Sequence, residues 1–505
     1  MFWLIVVMLL AVFGIADSLK HSKNTNEPKS SPSSRQAGLE KSGGLNNQPK
    51  ILEDIHFPKD FFFGTAYSDF QTAGLSPASD WAKEWDKIAN MVEKDSLVKN
   101  QIRRKALHPG VANDFFNRYK EDIDLAAQFG DQVHRISLDW ARIEPEEGKY
   151  NMEVVRKWIE VFRYAELRGV KIMICLNHFP HPTWFAKKGG WENSEAPYYY
   201  ARYAEFLAEN IGVPLQIKWW LTFNEPQFVI LVPYAKGSWP PFKEVRDLGD
   251  QDGMNRLALV ASHVLDGHRL SYRAIHKVMD MHTNKDNKAM VGFASATGAF
   301  YPYDSNSSLD QIASNTLNTL YGTLLDYSIG SVDRDFVGLN YYGRVKLRFH
   351  ISLWNAMKSW LTEERPFAIE WVNEHSNQPN ARPKEFYPRA LYDLIMKFKA
   401  LNKPIIITEN GLDDDADKFR EEFIIVHLKA IHDAIRDGAD VIGYQYWALA
   451  DTWEPGDATF SHMGLIRIDR ENGTLNRSLR PSAKTYGEII RTKTIRKELL
   501  NKYGN

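Results

Sequence analysis

Two carboxylates stand where apolar runs stop. The stretch Trp219-Trp220-Leu221-Thr222-Phe223-Asn224-Glu225-Pro226 begins as a buried strand should. It ends on Glu225, followed by a proline that forbids continuation of a central strand. Pro404-Ile405-Ile406-Ile407-Thr408-Glu409-Asn410-Gly411 stops the same way, on Glu409. Either Glu alone reads as a salt-bridged or solvated strand end. As a facing pair they suit glycosidic cleavage, in which one carboxyl protonates the leaving oxygen and the other attacks or stabilises the anomeric carbon. Other candidates carry less. His178 and His181, in Leu176-Asn177-His178-Phe179-Pro180-His181-Pro182, could suggest a metal pair. Prolines break the intervening helix geometry, no other ligand cluster presents itself, and no metal or other cofactor is expected. The single cysteine, Cys175, lies inside an apolar run and reads as a buried core thiol, with no second Cys for a disulfide or zinc cluster.

Carboxylates so far apart in sequence meet only if the elements carrying them converge. Eight short β-type runs are legible: Phe61–Tyr67, Gln132–Asp139, Lys171–His178, Lys218–Glu225, Met290–Thr297, Phe336–Tyr342, Pro404–Asn410 and Val441–Ala448. Amphipathic helical patterns separate most of them, such as 152–169 and 420–438; the second keeps Phe423, Val426, Leu428, Ile431 and Ile435 near a 3.6-residue period. Apolar strands alternating with helices predict an α/β fold with a parallel sheet covered on its faces. Eight such units fit a closed (β/α)8 TIM barrel, a single catalytic domain with long βα loops, better than an open sheet. Active sites in that fold sit at the C-terminal strand ends, so Glu225 on the fourth strand and Glu409 on the seventh are expected to face each other across the mouth. No glycine-rich phosphate loop follows any run, so nucleotide binding has no support.

The 505 residues suffice for such a barrel, and 44% hydrophobic residues supply a sizeable core. The 15 Trp and 22 Tyr exceed what a core needs and point to an aromatic-lined cleft. A net charge of −1 removes the electrostatic reason to expect a nucleic-acid partner. Residues 1–16 are uncharged and apolar: short for a membrane span, long enough for a signal peptide, with Gly14-Ile15-Ala16 as a cleavage point before Asp17. No Lys or Arg precedes the run, and an uncleaved anchor making membrane contact is the alternative. The expected location is therefore secreted or within the secretory pathway. Residues 17–55 read as a flexible leader rich in Ser, Lys, Asn, Gly and Pro, residues 56–490 as the barrel, and 491–505 as a basic, polar helix or tail of solvated surface. Sequons at Asn306, Asn472 and Asn476 would be usable in a secretory route.

At these residues the chain resembles glycoside hydrolase family 1, the β-glucosidase family. The resemblance covers roughly residues 56–490 and rests on Thr222-Phe223-Asn224-Glu225-Pro226 and Ile407-Thr408-Glu409-Asn410-Gly411 in order on strands four and seven. It implies that Glu225 is the general acid/base and Glu409 the nucleophile, in a retaining mechanism with carboxyls about 5–5.5 Å apart and a covalent glycosyl-enzyme. Gln71 and His178 are implied to bind sugar hydroxyls and Asn224 the 2-hydroxyl, with Trp447 under the pyranose ring and Glu454 on two outer hydroxyls. Arg135 is implied to pair with the nucleophile, and Tyr342 to orient it, with Asn340 nearby. Three positions depart from the family: Phe179 stands where Trp usually follows the His, Pro455 where Trp usually follows the hydroxyl-binding Glu, and Ala73 where a Glu is usual. These changes leave the chemistry intact but remove sugar-recognition contacts.

The resemblance therefore implies a retaining β-glycosidase acting on terminal β-glucosyl- or β-galactosyl-type O-glycosides, with a carbohydrate or glycoconjugate as partner. Gly237-Ser238-Trp239-Pro240-Pro241, Phe179 and the apolar N-terminus look similar to a divergent branch that includes plant galactolipid galactosyltransferases. Under that second reading the protein is a membrane-associated transglycosylase using the same two carboxylates on a glycolipid. A non-catalytic sugar-binding module is the third reading, although such modules typically lack one carboxylate. An S-glycosidase usually has Gln at the acid position, which Glu225 argues against.

Overall fold

The computed structural model describes residues 53–98, 106–246, 250–283, 288–316, 318, 333–351, 367–372, 386–456 and 458–503. Residues 1–16, expected as a signal or anchor, and nearly all of the expected leader lie outside these. Eight parallel strands close into a barrel: β1 Phe62–Ser68, β2 Val133–Ser137, β3 Lys171–Cys175, β4 Trp219–Asn224, β5 Met290–Ala296, β6 Val337–Asn340, β7 Ile405–Asn410 and β8 Val441–Trp447. Each strand pairs with the next, and β8 returns to β1 with Tyr444 opposite Phe63 and Trp447 opposite Ala66. The β-type runs all become barrel strands, shortened at their ends. The run to His178 stops at Cys175, and the run to Tyr342 stops at Asn340. The residues beyond these stops turn away from the ladder and build the mouth.

Strand alternation divides the core in two. Val133, Met173, Cys175, Leu221, Ala294, Phe336 and Ile406 fill the lower barrel interior. The other faces pack on a ring of helices, among them Met152–Leu167 and Arg420–Arg436. Asn151 starts the first by accepting bonds from the amides of Glu153 and Val154, which occupies two otherwise orphaned donors. That helix buries Val155, Trp158, Val161, Phe162 and Ala165 along one stripe, each large side chain contributing about 1.5–3 kcal/mol. In the second helix Phe423, Leu428 and Ile431 are buried as their spacing predicts, whereas Val426 and Ile435 are only half-buried. Ile424, Ile425 and Ala434 are buried as well, because neighbouring helices cover more than one face.

Two features differ from expectation. A three-stranded sheet of Ala299–Pro302, Arg344–Ile351 and Phe367–Val372 stands on the loops after β5 and β6. The basic C-terminal segment is not merely solvated. Thr494–Ile495 pairs antiparallel with Ile55–His56, and the helix Lys497–Tyr503 buries Leu500 while Lys502 and Tyr503 bond Glu421. Among the described residues no helix is long and apolar enough to cross a membrane.

Candidate active site

Glu225 and Glu409 reach the mouth differently. Glu409 lies within β7, opposite Asn340 of β6, beside a register shift that starts at Ile407. Gly411 follows closely because a Cβ there would meet the Trp447 carbonyl oxygen at 1.8 Å, so only glycine lets the ends of β7 and β8 approach. Glu225 was expected to end the fourth strand. The strand instead stops at Asn224, and Glu225 is left-handed (φ 46°) as the residue before the helix Pro226–Tyr234. Pro226 explains the stop, since it removes a ladder donor and suits the first helical position.

One hydrogen-bonded network joins both acids. Arg135, fully buried in mid-β2, donates from Nη1 to Glu409 Oε1 at 2.5 Å and from Nη2 to Asn224 Oδ1 at 2.6 Å. The Tyr342 hydroxyl donates to Glu409 Oε2 at 2.5 Å. Asn340 Nδ2 donates to Asn224 Oδ1 at 3.0 Å and to Glu225 Oε1 at 3.1 Å, while Thr408 donates to Asn340 Oδ1 at 2.7 Å. Because Asn224 Oδ1 faces two donors, its Nδ2 is the atom that meets His178 Nε2, at 3.1 Å. His178 Nε2 must then accept, which places its proton on Nδ1, directed at Ser137 Oγ at 3.0 Å. Burial, with Arg135 nearby, holds the His178 pKa well below its ordinary value and keeps the ring neutral.

The electrostatics separate the two carboxyls. Burial raises Glu225 above the usual carboxyl range, and the Glu409 charge raises it further. Burial raises Glu409 too, but the Arg135 guanidinium and hydrogen bonds from Tyr342, Arg135 and Asn340 oppose the rise. A proton shared by the pair therefore rests on Glu225. Burial and Glu409 lift the Tyr342 hydroxyl, which remains a donor.

The remaining predicted residues line the same mouth. Gln71 lies in the short helix Asp69–Ala73 after β1, donating Nε2 to the Trp453 carbonyl at 2.8 Å. Among the described residues its buried Oε1 has no hydrogen-bond partner. Trp447 ends β8, its ring 5.6 Å from that of His178, and donates Nε1 to Glu454 Oε1 at 3.3 Å. Glu454 lies in the hairpin strand Thr452–Glu454, and burial pushes its carboxyl up to about 7. Phe179 is left-handed (φ 84°) and packs its ring 4.7 Å from His178 and 4.8 Å from Trp239. Pro455 is buried beside Glu454, and Ala73 is half-buried at its helix end. His181 is no ligand partner of His178: its Nε2 accepts from Trp191 Nε1 at 2.9 Å. Three supports were missed in the sequence: Ser137, Thr408, and Thr452, which donates to Glu454 at 2.7 Å. Ser137 and Thr408 carried a signal, since Ser137 alternates with Arg135 on the inward face of β2 and Thr408 with Ile406 on that of β7.

The Glycosyl hydrolase family 1 profile matches residues 53–329 and 325–495. Beta-glucosidase-like SFR2, chloroplastic, of Oryza sativa subsp. japonica is 28% identical over 399 residues, covering 76% of this chain and 57% of its own length. Galactolipid galactosyltransferase SFR2, chloroplastic, of Arabidopsis thaliana is 28% identical over 400 residues, covering 76% and 59%. The chain thus spans less than two thirds of these relatives. A beta-glycosidase from Pyrococcus horikoshii superposes with a TM-score of 0.71 at 30% identity, covering 90% of this chain and 99% of that one. This chain belongs to glycosyl hydrolase family 1.

Proposed function

We propose that the protein is a retaining β-glycosidase working by double displacement. The observation that carries this reading is the asymmetry of the acids: Arg135 and Tyr342 bond the two Glu409 oxygens and oppose the rise that burial imposes there, while burial and Glu409 both raise Glu225. In the first step Glu409 attacks the anomeric carbon, the bond to the glycosidic oxygen breaks, and the Glu225 proton passes to that oxygen. In the second, Glu225, now a carboxylate, takes a proton from water as the water attacks the anomeric carbon and Glu409 departs. Asn224 supplies the hydrogen bond to the 2-hydroxyl that strengthens in the transition state.

Substitution tests it. Glu409→Ala abolishes turnover, because no other group forms the glycosyl-enzyme. Glu225→Ala is selective: a dinitrophenyl glycoside needs no acid, so a phenolate burst precedes slow deglycosylation, and azide restores turnover as a β-glycosyl azide. If neither change alters the rate on an aryl β-glycoside, both assignments are wrong.

A second reading, transfer of the sugar to a glycolipid acceptor, is favoured by the likeness to Galactolipid galactosyltransferase SFR2. Phe179 and Pro455, which supply no indole N–H to a sugar, agree with a glycone other than glucose. Sugar appearing on an acceptor, with almost none in water, would establish transfer. We also propose entry into the secretory pathway, supported by the apolar residues 1–16 and by three exposed sequon asparagines. N-terminal sequencing near Asp17 supports release, and an intact Met1 in carbonate-resistant membranes supports the anchored transglycosylase.

A further inference from the structure

The segment from Tyr303 to Ile312 exposes apolar surface beside a sequon. Tyr303, Leu309 and Ile312 are 39%, 44% and 61% exposed, three large hydrophobic side chains within ten residues. Asn306 stands between them, exposed, in the turn closed by the Ser307 amide on the Asp304 carbonyl at 3.0 Å. The turn is braced. Asp304 Oδ1 accepts from the Asn306 amide, and Asp310 accepts from the amides of Asp304 and Phe349. Leu309 and Ile312, three apart in the helix that follows, share one face. Among the described residues no hydrogen bond engages Asn306 Nδ2. At the second sequon, Asn472 Nδ2 donates to both Asp469 oxygens, at 3.0 and 3.2 Å.

The three sequons also differ three residues upstream, where Asn306 has Tyr303, Asn472 has Asp469 and Asn476 has Gly473. A pyranose presents a face of C–H bonds that packs on an exposed aromatic ring. The turn closes Ser307 on Asp304, and Tyr303 is the residue immediately before it. Arg348 covers one side of the Tyr303 ring at 3.6 Å, and the residue is still 39% exposed. Exposed apolar side chains on a protein surface call for a cover, and a bulky, solubilising glycan on a residue flanked by them in the sequence supplies one.

We propose that Asn306 is an N-glycosylation site and that the first sugars of its glycan lie over Tyr303 and the face formed by Leu309 and Ile312. The donor is an oligosaccharide linked to a lipid pyrophosphate. Asn306 Nδ2 bonds to the anomeric carbon, the bond from that carbon to pyrophosphate breaks, the amide loses one proton, and lipid pyrophosphate leaves. The inference rests on the secretory reading above, so its test separates the two.

The full chain is expressed in animal cells twice, once with its own residues 1–16 and once with these replaced by a working secretion leader. Peptide mapping with and without peptide N-glycosidase reads each sequon. The expected result is a glycan on Asn306, whose enzymatic removal lowers Tm by about 2 °C and increases binding of an apolar dye. In Tyr303→Ser the glycan remains attached, but its removal no longer shifts Tm. A leader-led, secreted chain with Asn306 bare overturns the proposal, as does a glycan whose removal moves neither Tm nor dye binding. Glycan on Asn306 in the leader-led chain alone upholds the site and rejects the native routing.

Discussion

The Tyr342 hydroxyl and Arg135 hold different oxygens of Glu409, Tyr342 on Oε2 and Arg135 on Oε1, each at 2.5 Å. Both bonds favour the anion and oppose the effect of burial. Tyr342→Phe removes one charge-assisted bond, worth about 1.5–3 kcal/mol. We expect kcat to fall about 10- to 100-fold. Glu409 becomes easier to protonate, so the acidic limb of the rate profile moves to higher pH, checked by kcat/KM from pH 4 to 9.

Glu225 owes its raised pKa first to burial and then to the Glu409 charge. Glu409→Gln removes the second cause and leaves the first. The Glu225 pKa should fall yet stay above about 4.3, the ordinary Glu value, in a carboxyl-carbon NMR titration. A value unchanged by the substitution would show that the two acids do not interact.

Ser137 Oγ accepts the proton that the Asn224 contact places on His178 Nδ1. Ser137→Ala leaves that N–H buried without a partner, a loss of about 1–3 kcal/mol. The expected fall in kcat/KM is about 5- to 100-fold, with the glycosyl-enzyme still trapped by an activated 2-fluoroglycoside. Loss of trapping would mean that Ser137 serves the chemistry and not sugar positioning.

Arg480 and Asp451 form a buried pair, with Nη1 at 2.7 Å from Oδ1, which ties the loop after β8 to the hairpin of Ile466–Ile468 and Arg477–Leu479. Arg480→Leu strands the carboxylate and should destabilise the fold by about 3–5 kcal/mol, read by denaturant unfolding. Burial pushes Asp451 up, but the His462 ring 3.7 Å away and the bonds from Arg480 outweigh it and hold the pKa below the ordinary value. The stabilisation from a depressed carboxyl is present above the unfolded pKa of about 3.9 and lost as pH falls through the folded one. The penalty of Asp451→Asn should therefore be full at pH 7 and shrink below about pH 4.

What the sequence determined by itself was local: eight apolar runs, the helices between them, and two acids at strand ends. Such features rest on periodicity over a few residues, and here the eight runs became β1 to β8. The motif residues Gln71, Arg135, His178, Asn224, Asn340, Tyr342, Trp447 and Glu454 were legible as well, from resemblance. Tertiary structure decided how they share protons. That Glu225 sits left-handed beyond its strand follows from where β4 leaves the ladder. That His178 accepts on Nε2 follows from Arg135 and Asn340 converging on one oxygen of Asn224. Ser137, Thr408 and Thr452 became supports because barrel closure and the β8 hairpin bring distant side chains within hydrogen-bond reach. The packing of the C-terminal helix escaped the sequence reading because its partner, the helix Arg420–Arg436, lies far up the chain. Periodicity identifies a buried face, but only the assembled fold determines what that face meets.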